Sequence, residues 1–329
     1  MKVCIVGAGA IGGFIGARLA ACGKAEVSAL ARGDTLHALA QHGWRLRQGG
    51  RLVTGPVRAA ADAGALGAQD VVVIAVKATA MADVARGVAP LLGPDTVILP
   101  AMNGVPWWFS HGIAVLGPEP LTSVDPTGHI AAALPVARVI GCVVHASAAT
   151  SEPGLVVHKM GQGLILGEPA GGSSPRLVAL NDLLAGAGFE VKLSTNIRRD
   201  IWYKLWGNLT INPVSAITGA TADRILDDPL VRDFCSAAMR EAAAIGAAIG
   251  CGIDESPEAR HAVTRALGAF KTSMLQDAER GRPLELDAIV AAVREIGARV
   301  GVATPTIDAL FGLARLYARV HGLYLPGHG

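Results

Sequence analysis

The chain has 329 residues, about half of them apolar, and a formal charge of +2, enough for about two domains with ordinary cores. Its basic residues are dispersed, with no Lys or Arg run recurring along a helix face, which argues against nucleic acid as a partner. The longest apolar stretches, around Val71–Val76 and Ile140–Ala149, fall far short of the roughly 20 residues of a membrane-spanning helix.

Met1-Lys2 runs straight into an apolar strand with no leader-like segment. The first half then alternates strands with helices. Lys2–Val6, Glu26–Leu30, Val71–Val76 and Thr96–Leu99 are short β-branched runs between turn signals. Ile11–Cys22 and Met81–Leu91 are alanine-rich and helical. This alternation predicts βαβ units and a parallel sheet. A more antiparallel tail follows in Val139–Ala148, Leu155–Lys159 and Leu164–Leu166, the last two around Gly161-Gln162-Gly163. Pro175–Ala187 and Glu190–Leu193 add one helix–strand step.

Past about Thr195 the strand runs cease. Segments 197–217, 229–250, 257–281, 286–301 and 305–321 read as helices, and Pro229, Pro257 and Pro305 stand near starts, where a missing N–H costs nothing. Cys4, Cys22, Cys142, Cys235 and Cys251 form no C-x-x-C pair. They fit small buried hydrophobes in a reducing cytoplasm.

Gly7, Gly9 and Gly12 spell G-x-G-x-x-G directly after the first strand and at a helix start. The first glycine permits a tight turn, the second a close approach of backbone to a pyrophosphate, and the third close helix–strand packing. The segment Gly7, Ala8, Gly9, Ala10, Ile11 and Gly12 is therefore expected to bind a dinucleotide. The expected class is α/β: a Rossmann-type dinucleotide-binding domain over 1–195, followed by an all-α helical domain over 196–329. At the end of the second strand, where an NAD-binding unit carries an acid for the ribose hydroxyls, this chain reads Ala29-Leu30-Ala31-Arg32-Gly33. Asp34 falls in the following loop. A guanidinium suits a 2′-phosphate, so NADP (NADPH) is the expected cofactor.

Of the 29 basic residues, 22 are arginine and 7 lysine, so each lysine is worth a question. Lys77 follows the strand Val71–Val76, and Asn103-Gly104 follows the next, both at the carboxyl end of the sheet where ligands bind in this architecture. Lys204, Asn208 and Asn212 fall at i, i+4 and i+8, one stripe of a helix whose other positions include Ile201, Trp202, Leu205, Trp206, Leu209 and Ile211. A helix so apolar is buried on most sides. Its polar stripe then needs partners from outside the helix. Pro213 cannot donate to the Leu209 carbonyl, so the helix should bend or stop there.

These residues together resemble the ketopantoate reductase family. The motifs run through nearly the whole chain: the glycine string, Val76-Lys77-Ala78, Asn103-Gly104, Pro153-Gly154, Gly167-Glu168, and Trp202-x-Lys204-Leu205-x-x-Asn208-x-x-x-Asn212-Pro213. Ser273-Met274-Leu275-Gln276-Asp277 and Gly281-Arg282-x-x-Glu285-Leu286-Asp287 complete the set.

The resemblance implies reduction of a 2-oxo acid to a 2-hydroxy acid with NADPH, 2-dehydropantoate to pantoate in the family's own reaction. It makes Lys204 the general acid, with Glu285 contacting the cofactor or ordering the site. Asn208, Asn212 and Ser273 hold substrate, Asn103 lies between substrate and cofactor, Lys77 helps hold the cofactor, and backbone near Ala146-Ser147 borders the nicotinamide. Two places depart from the family pattern: Phe270 and Ala222 stand where asparagines are common. Together with Trp107-Trp108, they leave open a pocket for another branched or aromatic 2-oxo acid.

Two rivals differ in class. Another two-domain hydroxyacid dehydrogenase could share Lys-x-x-x-Asn but lacks the Ser273–Asp287 segment. A non-enzymatic NADPH sensor has no need of the lysine–asparagine stripe. His145 and His158 lack metal-ligand spacing, so no metal is expected. Leu310, Phe311, Leu313, Leu316 and Tyr317 are either core or the face of a homodimer.

Overall fold

A computed structural model describes residues 1–324. Its first elements are β1 (Lys2–Val6), α1 (Ala10–Cys22), β2 (Glu26–Leu30), α2 (Gly33–His42), β3 (Trp44–Gln48), β4 (Arg51–Gly55), β5 (Arg58–Ala60), β6 (Gln69–Ile74), α3 (Met81–Gly87) and β7 (Leu92–Pro100). They continue with α4 (His129–Ala133), β8 (Gly141–Glu152), β9 (Leu155–Gly167), α5 (Pro175–Gly186) and β10 (Glu190–Leu193). The helical series is α6 (Ile197–Thr218), α7 (Ala222–Asp227), α8 (Pro229–Ala248), α9 (Pro257–Arg265), α10 (Ser273–Glu279), α11 (Ala292–Arg299) and α12 (Pro305–Val320). The chain divides into two compact units: Met1–Asn103 with His129–Asp200, and Gly104–Gly128 with Ile201 onward.

In the first unit the near-continuous apolar runs of β1 and β6 are buried, as strands of a parallel sheet require. The sheet runs β5-β2-β1-β6-β7, every neighbour parallel. A second, mixed sheet runs β10-β9-β3-β4, with β8 antiparallel on β9. Helix α1 shares one core with both sheets: Phe14, Ile15 and Leu19 pack with Val3 and Val27 on one side and with Trp44, Leu46 and Val156 on the other. The fold is thus the expected α/β one, a Rossmann-type parallel sheet followed by helices.

Three local expectations are corrected. Gly161-Gln162-Gly163 is not a turn; β9 runs through it unbroken. Gly161 (φ 69°) is a bulge residue whose Cβ, if present, would lie 2.5 Å from the His145 carbonyl oxygen, and the register against β8 shifts there. The hairpin β3–β4 was not expected because arginines alternate with its buried Trp44 and Leu46 and mask the apolar signal. Its turn residues Gly49 and Gly50 both have positive φ (55° and 78°), as a two-residue hairpin loop demands. Segment 257–281 is two helices, α9 and α10, divided by a loop in which Gly268 has φ 65°.

In the second unit Pro229, Pro257 and Pro305 each sit at the first turn of their helix. Segment 286–301 opens with a π-helical turn, Asp287–Ala291, before α11. Gly104–Gly128 belongs here because α11 holds it. The Glu295 carboxylate accepts the Thr122 and Ser123 N–H groups at 2.8 Å each, and the Arg299 guanidinium donates to the Leu116, Glu119 and Pro120 carbonyls. On α12, Leu310 and Phe311 are core, whereas Leu313 and Leu316 are about 60 % exposed. No helix among the described residues is long and apolar enough to cross a membrane.

Glu168, just past β9, ties the first unit's connections together. It accepts from Arg176 Nε (2.8 Å) and Nη2 (2.5 Å) and from the Ser174 hydroxyl that caps α5, while Arg176 also reaches the Ala137 and Val139 carbonyls. Burial raises the carboxyl's pKa, but the bonds from Arg176 and Ser174 outweigh it and hold it below the usual carboxylate range. A depressed carboxylate contributes stability that is fully present above the unfolded-state pKa and is lost as pH falls through the folded one. Glu168→Gln is therefore expected to cost about 1.5–3 kcal/mol at neutral pH. The gap from wild type in urea unfolding should close as the buffer is taken down through the carboxylate range. A pH-independent gap would assign the loss to packing alone.

Candidate functional site

Parallel pairing places the carboxyl ends of β1, β2, β6 and β7 along one edge of the sheet, and four sequence-singled positions follow those ends. Gly7 follows β1, Arg32 follows β2, Lys77 follows β6 and Asn103 follows β7. Gly7 has φ 92°, and a Cβ on it would lie 2.6 Å from Val76 Cγ1. A Cβ on Gly12 would fall 2.0 Å from the Gly7 carbonyl oxygen, which no adjustment of a side chain could relieve. Gly9, the N-cap of α1, differs: its Cβ would meet nothing within 4 Å. Two glycines are thus demanded by the fold, while the second is required only if something approaches from outside. The first turn of α1 holds no acidic residue and its cap offers no side-chain bond. Its N–H groups and positive dipole end suit an anion.

Arg32 is exposed, at the N-cap of α2, and its side chain does not cap that helix. Asp34, expected in a loop, lies in the first turn of α2. Strand β6 ends at Ile74, so Lys77 stands on a short connection as the cap of a 3-10 turn. Ser147 lies in β8 at its irregular register with β9. His158 bonds the Gly161 carbonyl at 2.6 Å and stacks on Phe14, a structural role. No group of three or more His, Cys, Asp or Glu side chains that could hold a metal occurs among the described residues. None of the five cysteines forms a disulfide. Burial pushes the Cys4 thiol up to about 11 and Cys235 up to about 12, so neither offers a thiolate near neutral pH.

In the second unit α6 is built as its pattern predicts. Ile201, Trp202, Leu205, Trp206, Leu209 and Ile211 are all buried. The two indoles anchor it: Trp202 Nε1 donates to the Ala242 carbonyl at 3.1 Å and Trp206 Nε1 to the Met239 carbonyl at 2.7 Å, both on α8. Lys204 and Asn208 come two residues after the tryptophans, about 200° around the helix from them. They are half-buried. Asn212 is only 6 % exposed, and its side chain makes no hydrogen bond among the described residues. Pro213 does not stop the helix, which continues to Thr218.

Ser273 is the first residue of α10 and is exposed. The cap is its neighbour Thr272, whose hydroxyl accepts the Leu275 N–H at 3.1 Å. Glu285 is half-buried and lies two residues before the π-helical turn, next to its cap Leu286. Gly104 packs on that turn: Val105 N–H donates to the Ala288 carbonyl at 2.8 Å, and a Cβ on Gly104 (φ 80°) would lie 2.8 Å from Ala288 Cβ. Trp107 and Trp108 are buried, and Phe109 stacks on Trp202, so this run is core to the second unit.

The two positions that depart from the family pattern are partners. Ala222 N–H donates to the Phe270 carbonyl at 3.0 Å, and both pack in a cluster with Ile211, Val214 and Leu226. Sequence reasoning missed Ser215 and Thr272, which are buried and hydrogen-bonded to each other at 2.5 Å. Their only signal was position, three residues past Asn212 and one before Ser273.

The chain matches the family models "Ketopantoate reductase PanE/ApbA" over residues 3–171 and "Ketopantoate reductase PanE/ApbA C terminal" over 196–318. It is 44 % identical to a 2-dehydropantoate 2-reductase of Mesorhizobium japonicum over 98 % of this chain and all of that one. A crystal structure from Ralstonia solanacearum, named as a candidate ketopantoate reductase, is 58 % identical with a TM-score of 0.93, covering 98 % of this chain and 99 % of its own. The 2-dehydropantoate 2-reductase of Methylococcus capsulatus gives 28 % and 0.83, with 98 % of each chain covered. The glycine turn, the lysine–asparagine helix and the Ser273–Asp287 segment therefore stand in a chain that belongs to the ketopantoate reductase PanE/ApbA family of oxidoreductases.

Proposed function

We propose that this enzyme works in the cytoplasm and uses NADPH to reduce a 2-oxo acid to its 2-hydroxy acid, with 2-dehydropantoate as substrate and pantoate as product. The observation that carries the reading is the α6 stripe: an ammonium and two amides in register on a helix otherwise buried by tryptophan and leucine, with Asn212 nearly buried and its amide unmatched among the described residues. The Asn212 amide is not among the fully buried polar atoms left unpaired, so it is open to an incoming ligand, and a substrate hydroxyl would match both its donor and its acceptor. The relatives named 2-dehydropantoate 2-reductase support the same substrate.

The first unit fits a phosphorylated dinucleotide. The unobstructed Gly9 and the α1 N-terminus, with Ala8, Ala10 and Ile11, would take the pyrophosphate, and Arg32 the 2′-phosphate. Lys77, Asn103, Ser147 and Glu285 complete the proposed cofactor contacts. Bound NADPH supplies the hydride. Lys204 stabilises the negative charge that develops on the ketone oxygen and gives that oxygen its proton. Asn103, Asn208, Asn212 and Ser273 orient the substrate. Glu285, a carboxylate, would favour the charged form of an ammonium in its neighbourhood. The Ala222–Phe270 pairing supports a second reading, a 2-oxo acid with a larger apolar side chain, since neither residue offers an amide there.

Three outcomes test the proposal. Gly9→Ala should leave the thermal midpoint near wild type and weaken NADPH binding, whereas Gly12→Ala should lower both, as calorimetry and thermal unfolding would show. Arg32→Ala should raise KM for NADPH roughly ten- to a hundredfold, the range of a charge-assisted bond of about 1.5–3 kcal/mol, and barely change KM for NADH. An equal rise with both cofactors would remove Arg32 from 2′-phosphate recognition.

Lys204→Ala should cut kcat by about 10²–10⁴ on 2-dehydropantoate while NADPH still binds. Lys204→Arg should not restore it, because a guanidinium hardly gives up a proton near neutral pH. Near-normal turnover in either variant would take Lys204 out of the chemistry.

A further inference from the structure

Two hydroxyls and two backbone groups in the second unit form a directed chain that the reaction itself does not call for. Ser215 Oγ donates to the Asn212 carbonyl at 2.8 Å, which uses its only proton. The 2.5 Å bond between Ser215 Oγ and Thr272 Oγ1 must then be donated by Thr272. Thr272 Oγ1 accepts in turn from Leu275 N–H at 3.1 Å. The order is Leu275 N–H to Thr272 to Ser215 to the Asn212 carbonyl, with every proton assigned.

Both hydroxyl residues are buried, Ser215 at 0 % and Thr272 at 2 % exposure, where a hydroxyl left without a partner is penalised. The chain ends at the backbone of Asn212 on α6 and begins at the first turn of α10, whose first residue is Ser273. A second tie, from Ala222 N–H to the Phe270 carbonyl at 3.0 Å, holds the other end of the same short segment. Because Thr272 takes the cap of α10, the Ser273 hydroxyl is left out of that duty.

We infer that Ser215 and Thr272 are positioning residues for the substrate, their buried hydroxyl pair setting the spacing between Asn212 and Ser273. This rests on the proposed reduction of a 2-oxo acid. Ser215→Ala and Thr272→Val break one link from opposite sides, so the double variant should be no worse than the poorer single one. Each is expected to raise KM for 2-dehydropantoate about three- to tenfold, to leave KM for NADPH nearly unchanged, and to lower the thermal midpoint of the NADPH complex only by the few degrees that one unpaired buried hydroxyl costs. Thr272→Ser, which keeps the hydroxyl, should restore the wild-type KM.

Amide exchange gives a readout that needs no turnover: Leu275 and Gln276 should exchange faster in Ser215→Ala while α6 stays protected. A lowered midpoint with unchanged substrate KM, or additive losses in the double variant, would make the pair merely structural and overturn the inference. A wild-type enzyme that reduces no 2-oxo acid would refute the proposed function alone. In that case unchanged exchange at Leu275 in Ser215→Ala would overturn the link as well, and faster exchange would uphold it.

Discussion

Two indole N–H bonds set the geometry on which the chemistry proposed for the second unit depends. Trp202 and Trp206 are one helical turn apart, and the carbonyls they reach, Ala242 and Met239, are spaced by three residues on α8. A helix held at two successive turns cannot rotate about its axis. The anchor therefore decides which side of α6 is left for Lys204, Asn208 and Asn212. The same burial explains why α6 survives Pro213. A proline inside a helix costs about 3 kcal/mol, while each buried aromatic is worth a comparable 3–5 kcal/mol. Two such tryptophans, with Leu205, Leu209 and Val214 buried beside them, outweigh one lost bond.

The first unit meets a different constraint, leaving backbone at the glycine turn open to the proposed dinucleotide. Parallel pairing gathers the ends of four strands on one edge, and the glycine turn is fixed by contacts with its own surroundings. Gly7 abuts Val76 and Gly12 abuts the Gly7 carbonyl, whereas Gly9 faces open space. Two of the three glycines are thus answerable to folding, and one is left open for the proposed cofactor.

Much of this was legible in the sequence because it is periodic or local. The apolar runs of β1, β2 and β6 between turn signals, the G-x-G-x-x-G string between strand and helix, and the i, i+4, i+8 stripe on α6 each follow from local composition or spacing. What escaped was non-local or masked. Gly161 has the composition of a turn residue, but the partner strand β8 makes it a bulge. The β3–β4 hairpin hid behind arginines that a half-exposed strand tolerates. The Ser215–Thr272 bond joins residues 57 apart in sequence, and nothing in either neighbourhood marks them as partners.

By itself, then, the sequence determined the α/β class, the glycine turn, the strand-end arginine and the existence of a polar stripe on an apolar helix, since each depends on local composition, on the helical repeat or on a fixed local offset. Tertiary structure alone decided the direction in which that stripe is turned, the helix that Gly104–Gly128 is bound to through Glu295 and Arg299, and which member of the Thr272-Ser273 pair serves as the cap. Those choices are made by hydrogen bonds between distant segments. Such bonds become available only when burial has removed water as the competing partner.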